Sequence, residues 1–329
     1  MVAGDMYVPV ETGRQDKTMT LIRRLADEAG MTEKEASAVL VEASRKYKVF
    51  TIPKRSGGRR VIAQPAGDLK RLQRAFVSLF PLPVYAAVMS YREGISIRDN
   101  AEKHKEHRYF LKTDFHRFFP SLEPTIFWRQ TATFASESWA QELLQNQTMV
   151  EALLFWRPAR KVSGKLVLSI GAPSSPLVSN FCLYTFDQVL SEWCRRNEVT
   201  YTRYADDLTF STDVPGRLQQ VYLYLKQLLR ASWPFLQLNA SKTVFASKRT
   251  NRHVTGLVIS NEGRVSLGRA KKRRLKAMVH QASFGTLDTV TLESLRGWLN
   301  FAASVEPEFL TTLIKKYTLK TIASIRHGD

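Results

Sequence analysis

Tyr204-Ala205-Asp206-Asp207 stands between two runs, 198–203 and 208–211, whose β-branched and aromatic residues favour extended backbone. The pattern predicts a tight hairpin with two adjacent carboxylates at its tip. Neighbouring acids repel one another, which disfavours both charges unless a cation sits with them. Asp is also common in plain polar turns. Taken alone, the four residues leave a turn and a cation site equally open, and the surrounding chain has to decide.

The chain has 329 residues, 44% of them hydrophobic and 24% charged. That is the balance of a globular protein with a sizeable core and room for two or three packed lobes. No apolar run approaches the roughly 18 residues of a membrane span, and residues 1–14 lack a signal-peptide layout. A soluble, cytoplasmic protein is expected. Cys182 and Cys194 fall in one helix-like stretch, 176–196, which would separate them by about 18 Å, beyond the roughly 7 Å reach of a disulfide. They read as reduced core thiols. The 49 Lys and Arg against 30 Asp and Glu give a net charge of +19 and a pI near 10.0. So large an excess implies a polyanionic partner, and nucleic acid is the usual one. An anionic membrane would call for a basic amphipathic anchor or a lipidation motif, and neither is seen.

Residues 18–46 read as two helices split near Gly30, the second opened by a Thr32–Glu35 capping box. Residues 47–52 alternate like a strand, with 61–63 as partner and Ser56-Gly57-Gly58 as the turn. Lys54, Arg55, Arg59 and Arg60 surround the end of this hairpin, either as a solvated loop or as a clamp for phosphates, whose oxygens guanidinium forks match. An amphipathic helix over 66–80 stops at Pro81 and Pro83. A helix over 96–105 puts Asn100 and His104 on one face, where such residues more often tie down backbone than hold a ligand.

A strand over 108–113 ends in Asp114, followed by Phe115-His116-Arg117-Phe118-Phe119. An acid between an apolar strand and an aromatic cluster is costly to bury without a partner, although a helix N-cap would also place one there. Helices fill much of 124–156, with a short turn over 162–165 and a strand over 166–169. Gly171-Ala172-Pro173-Ser174-Ser175-Pro176 lets a ligand approach the backbone closely, or simply leads into the next helix. Asp213 and Pro215 suit the cap and first turn of a helix to Arg230. A turn over 238–243 feeds a strand, and 253–260, containing Val254-Thr255-Gly256, is another. The remainder is mostly helical. Its first helix carries Arg269, Lys271, Lys272, Arg273, Arg274 and Lys276, a one-signed density that repels itself unless phosphates neutralise it.

If the strand of 108–113 pairs beside the Asp206 hairpin, Asp114, Asp206 and Asp207 meet. An all-oxygen set without His or Cys suits Mg²⁺ or Mn²⁺. Two such ions about 3.5–4 Å apart clamp the attacking and leaving oxygens of a phosphoryl transfer. That chemistry needs acceptors, positioning and positive charge more than a protein nucleophile.

At this point the sequence resembles the reverse transcriptases, and within them the bacterial retron enzymes. The resemblance covers roughly residues 45–320. It is carried, in the family's order, by Asn100-Ala101-Glu102-Lys103-His104, Asp114 with Phe118-Phe119, the Gly171 to Pro176 stretch, Tyr204-Ala205-Asp206-Asp207 and Val254-Thr255-Gly256. The first and last of these are the retron-specific ones. An α+β right-hand polymerase is implied: N-terminal helices and fingers over 1–107, a palm over 108–260 with a fingers segment at about 137–175, and a helical thumb over 261–329. Asp114, Asp206, Asp207 and the Phe115 carbonyl would hold two Mg²⁺, with Mn²⁺ as an alternative. Phe119 would block a ribose 2′-OH. Lys54, Arg59, Arg60, Ala172 and Lys242 would contact the nucleotide, Lys242 as a general acid. Asn100, His104, Val254, Thr255, Gly256, Arg269, Lys271, Lys272, Arg273 and Arg274 would contact RNA or primer.

The resemblance further implies an RNA-directed DNA polymerase that binds its own structured noncoding RNA and primes from a guanosine 2′-OH. Its product would be a branched RNA–DNA molecule made from dNTPs, used with a separate effector in anti-phage defence. One departure stands out: Ser169-Ile170 occupies the place where the family generally carries Pro-Gln, so Ile170 brings no hydrogen bond to the nucleotide. The alternatives are another bacterial reverse transcriptase, of group II intron or diversity-generating type, or an RNA-binding scaffold that controls an effector.

Overall fold

The computed structural model describes residues 19–54, 57–159 and 164–327. The stretch 1–14, Arg55, Ser56 and the first part of the turn expected over 162–165 lie outside them. Helices α1 (Leu21–Ala29) and α2 (Glu33–Val41) follow the sequence reading, with Gly30 in the left-handed region between them and the Thr32–Glu35 capping box formed. Strands β1 (Tyr47–Pro53) and β2 (Arg59–Pro65) pair antiparallel from Tyr47 opposite Pro65 to Pro53 opposite Arg59. Helix α3 (Gly67–Leu79) packs back on α1 and α2. A short α4 (Ile97–Glu102) opens on a Ser96–Asp99 capping box.

The central sheet comes next. Its first strand is β3 (Tyr109–Asp114), after which α5 (Phe118–Ser121), α6 (Pro124–Ala132), α7 (Ser138–Gln145), α8 (Gln147–Leu154), α9 (Ser175–Cys182) and α10 (Tyr184–Arg196) intervene. Strands β4 (Thr200–Tyr204) and β5 (Asp207–Thr212) form the expected hairpin. Helix α11 (Arg217–Ser232) and β6 (Val244–Ser247) complete an antiparallel sheet in the order β4-β5-β3-β6. The strands of the hairpin are buried on both faces. One face puts Tyr201, Arg203, Leu208 and Phe210 toward the helices, while Thr202 and Ser211 on the other turn to His104.

Strands β7 (Arg252–Val254), β8 (Leu257–Ile259) and β9 (Val265–Ser266) make a separate small sheet, followed by α12 (Arg269–Ser283), α13 (Thr289–Val305), α14 (Pro307–Tyr317) and α15 (Leu319–His327). These elements share one apolar core, joined by Ala101 and Phe110, whereas residues from Leu21 to Leu236 build the other.

Four local readings change. The helix of 176–196 is two helices that break at Leu183, so Cys182 and Cys194 sit on different helices; both are free and buried, and burial pushes both thiols well up. The strand of 166–169 is reduced to a bridge between Trp156 and Val167. The strand of 253–260 is a hairpin, because Thr255 (φ 45°) and Gly256 (φ 82°) both take left-handed backbone. Asp213 does not cap α11, which starts at Arg217 after Gly216; its carboxylate instead accepts from Arg108 N–H at 2.9 Å and meets His107 Nδ1 at 3.0 Å.

Candidate active site

Asp114 ends β3 directly opposite Asp207, and the Phe115 N–H donates to the Asp206 carbonyl at 3.0 Å. The three acids expected to meet therefore do meet. Like charges facing each other across an antiparallel pair are unfavourable, and burial adds to the cost. Burial first, then the charges of Asp207 and Asp114, raise the Asp206 carboxyl to about 6. Burial and then the Asp114 charge raise Asp207, with Lys112 and Lys242 pulling it back. The Lys242 ammonium bonds Asp114 Oδ2, while Asp114 Oδ1 is buried with no hydrogen-bond partner. Among the described residues no three His, Cys, Asp or Glu side chains close into a metal cage. What is present is an oxygen-only cluster with surplus negative charge and an orphaned acceptor, and a hard divalent cation fits it.

The turn that carries Asp206 is braced from below. Ala205 is a non-glycine residue at φ 55°, a backbone region that needs outside support. Its N–H donates to Ser90 Oγ at 2.8 Å, and its carbonyl accepts from Arg203 Nη1 at 3.0 Å. Arg203 is fully buried and pairs with fully buried Asp187 at 2.6 Å. Tyr201 Oη donates to Asp187 Oδ1 at 2.8 Å, and Asn180 accepts from Arg203 while donating to the Ser90 carbonyl. Main-chain bonds from Met89 N–H to the Arg203 carbonyl and from Arg203 N–H to the Ala87 carbonyl lay a strip alongside β4. Sequence reasoning missed Ser90, Asn180, Asp187 and Arg203. The available signal was Arg203, a single charge inside the strand Thr200–Tyr204, since such residues are rarely buried unless paired.

Toward the β1–β2 hairpin, Lys54, Arg59 and Arg60 are all exposed, and Arg59 Nε is tied to Thr51 Oγ1 at 2.6 Å. The root of the hairpin is fixed by Ala63 N–H donating to the Ile170 carbonyl at 2.9 Å. Gly171 sits at φ 127°, and a Cβ there would lie 3.0 Å from the Ala63 carbonyl oxygen. Ile170 thus works through its backbone, docking this loop on β2. Ala172 is buried and Phe119 half-buried, packed edge-on against Phe118.

Residues 52–259 match the family described as Reverse transcriptase (RNA-dependent DNA polymerase). The chain is 38% identical over 283 residues to the Retron Ec83 reverse transcriptase of Escherichia coli, covering 85% of this chain and 89% of that one. The chain belongs to the retron reverse transcriptases. It is 27% identical over 310 residues to the Retron Ec73 reverse transcriptase of Escherichia coli, covering 90% of this chain and 95% of the relative. Among solved structures it is similar to telomerase from Candida albicans in complex with a fragment of telomeric RNA, with TM-score 0.49 and 15% identity over 85% of this chain and 60% of that one. This reverse transcriptase is an RNA-directed DNA polymerase, and its helices and antiparallel sheet are the α+β right-hand fold expected from the sequence.

Asn100-Ala101-Glu102-Lys103-His104 and Val254-Thr255-Gly256 of this reverse transcriptase form one connected unit. Asn100 and His104, expected at the RNA, are 1% and 0% exposed, and Val254 is buried as well. None of the three offers a surface to nucleic acid. The Thr202 hydroxyl donates to Asn100 Oδ1 at 2.7 Å, so its oxygen accepts from His104 Nε2–H at 2.7 Å; Nδ1 is left to accept from the Ser211 hydroxyl at 2.7 Å. That tautomer is neutral, and burial pushes the ring down to about 3. Asn100 Nδ2 also reaches Thr255 Oγ1 at 3.5 Å, and Lys271 Nζ donates to the Gly256 carbonyl at 2.8 Å. The unit links the β4–β5 hairpin to the Thr255-Gly256 turn, where Thr255 takes positive φ. On α12, Lys271 and Lys272 are committed to protein contacts, Lys272 with Glu306 at 2.8 Å. Arg269, Arg273, Arg274 and Lys276 are exposed, and three of them line a cleft of about 420 Å³ beside Phe309.

Proposed function

We propose that this reverse transcriptase copies its own structured noncoding RNA from a guanosine 2′-OH, leaving the new DNA joined to the RNA as a branched molecule. Asp114, Asp206 and Asp207, with the Phe115 carbonyl, would hold two Mg²⁺, and Mn²⁺ would also suit the oxygen set. The observation that carries this is the meeting of buried Asp114, its Oδ1 without a hydrogen-bond partner, with the half-buried Asp206 and Asp207. Divalent ions bound there would lower the pKa of the priming hydroxyl and neutralise the departing pyrophosphate. The protein's own groups do the rest. Lys54, Arg59 and Arg60 hold the triphosphate, Phe119 closes the space beside the ribose 2′ carbon, and Ala172 borders the nucleotide. Lys242, already bonded to Asp114, supplies a proton on the pyrophosphate side.

The reading divides the chain into N-terminal helices and fingers over 1–107, palm over 108–260 with a fingers segment at about 137–175, and thumb over 261–329. Within it the β7-β8-β9 sheet shares its core with the thumb helices. Arg269, Arg273 and Arg274 face the RNA, and Thr255-Gly256 stands beside the primer. Among the described residues no helix is long and apolar enough to cross a membrane, and the proposed setting is the bacterial cytoplasm, with a separate effector in anti-phage defence. Purifying the protein from its host and sequencing the bound nucleic acid tests the reading. One short RNA covalently joined to DNA at an internal guanosine is expected. Recovery of unbranched or heterogeneous RNA would count against it.

A further inference from the structure

Tyr91 is an exposed aromatic beside the acids that the chemistry above does not use. Its backbone is pinned to the catalytic turn, because Met89 N–H holds the Arg203 carbonyl and Ser90 Oγ holds Ala205 N–H. Arg92 Nη1 closes the same loop on the Ala86 and Val88 carbonyls at 3.2 and 3.1 Å. Tyr91 itself sits at φ 56°, where a bulky residue is an outlier and glycine would fit freely. Burial does not account for the choice, since the residue is 50% exposed. Its ring lies 6.5 Å from that of Tyr204, which opens the catalytic turn. Partial burial and the Asp206 charge raise its phenol while Arg60 lowers it, so the side chain lies within electrostatic reach of both.

We propose that Tyr91 is a nucleic-acid contact of the polymerase site, its ring packing on the RNA template nucleotide opposite the incoming deoxynucleotide. A flat, half-exposed aromatic face suits a base or ribose, whereas phosphates are served by the cations of β1–β2 and by Lys242. The template is favoured over the primer by position. Tyr91 follows the strip beside β4, while the β7–β9 sheet and the thumb share their core with Phe110 of β3 and Ala246 of β6. A rigid bond to the Ala205 turn would keep the template nucleotide in register with the acids. This rests on Asp114, Asp206 and Asp207 being the acids of the reaction.

Steady-state extension of a primer on an RNA template tests it. Tyr91→Ala should raise KM for template–primer about tenfold, with KM for the deoxynucleotide changed less than about twofold. Tyr91→Phe keeps the ring and should recover most of that loss. Tyr91→Gly should lose affinity as Tyr91→Ala does without a lower Tm, since it relieves the backbone. An unchanged template–primer KM in the Ala and Gly variants overturns the proposal, as does a shift confined to the deoxynucleotide or a Phe variant no better than Ala. Asp206→Asn with Asp207→Asn is assayed beside them. If that variant still extends primers, the reading of the acids fails; if it is inactive while Tyr91→Ala binds normally, only the role of Tyr91 does.

Discussion

Two sets of charges meet at the Tyr204 to Asp207 turn, and they are built in opposite ways. Behind the turn, Arg203 and Asp187 neutralise each other, and no polar side-chain atom of Arg203, Asp187, Asn180 or Tyr201 is left without a partner. In front of it, three acids crowd together, Lys242 bonds Asp114, and the other oxygen of Asp114 has no partner. A closed pair of this kind adds little net stability but fixes a geometry. An open, one-signed set raises the carboxyls beside it and attracts a cation. The molecule therefore places a settled charge pair directly behind an unsettled one.

The largest expected effect is on the open side. Asp206→Asn with Asp207→Asn should lower primer extension by at least about 10³-fold, while RNA retention on a filter stays close to wild type. Extension at the wild-type rate would remove the distinction between the two sets. On the closed side, Arg203→Met strands a buried carboxylate and should cost about 3–5 kcal/mol in urea unfolding. Adding Asp187→Leu should return much of that loss, and a double variant as unstable as the single one would show that the pair is not the relevant unit.

The front of the site was more legible in the sequence than the back. Asp114, Asp206 and Asp207 sit at strand ends in local patterns, and runs of β-branched and aromatic residues predicted the β4–β5 hairpin that carries two of them. Arg203 and Asp187 are 16 residues apart and belong to different elements, so their pairing is a tertiary fact. Tyr91, Ala205 and Thr255 have positive φ without being glycine, and nothing in their side chains announces it. The split at Leu183 was hidden for a similar reason, since no proline or glycine marks it. Asn100 and His104 were found by motif but assigned to RNA, because a motif says that residues are needed and not which way they face.

His104 sharpens the comparison through pH. Its folded pKa of about 3 lies below the ordinary 6.5, driven first by burial and then by the charges of His107 and Lys103. The unfolded chain therefore takes up a proton below pH 6.5 that the folded one refuses. The contribution of this residue is intact above 6.5 and lost progressively as pH falls toward 3. Urea unfolding at a series of pH values should show this slope, reduced in His104→Gln. The smallest effect is expected on α12. Neutralising Arg269, Arg273 and Arg274 should reduce the slope of log affinity for RNA against log salt by about 0.7 to 0.9 per lost phosphate contact. Neutralising Lys271 and Lys272 should instead lower thumb stability, because both are bound to the protein.

The charge imbalance in front of the turn is tested most directly by Mn²⁺ titration of the free enzyme, followed by electron paramagnetic resonance. The wild-type protein should sequester Mn²⁺, and the variant with Asp114, Asp206 and Asp207 all changed to Asn should leave it in solution, while an Asp213→Asn control binds as wild type does. Equal binding by the wild type and the triple variant would contradict a divalent-cation site built from these three acids.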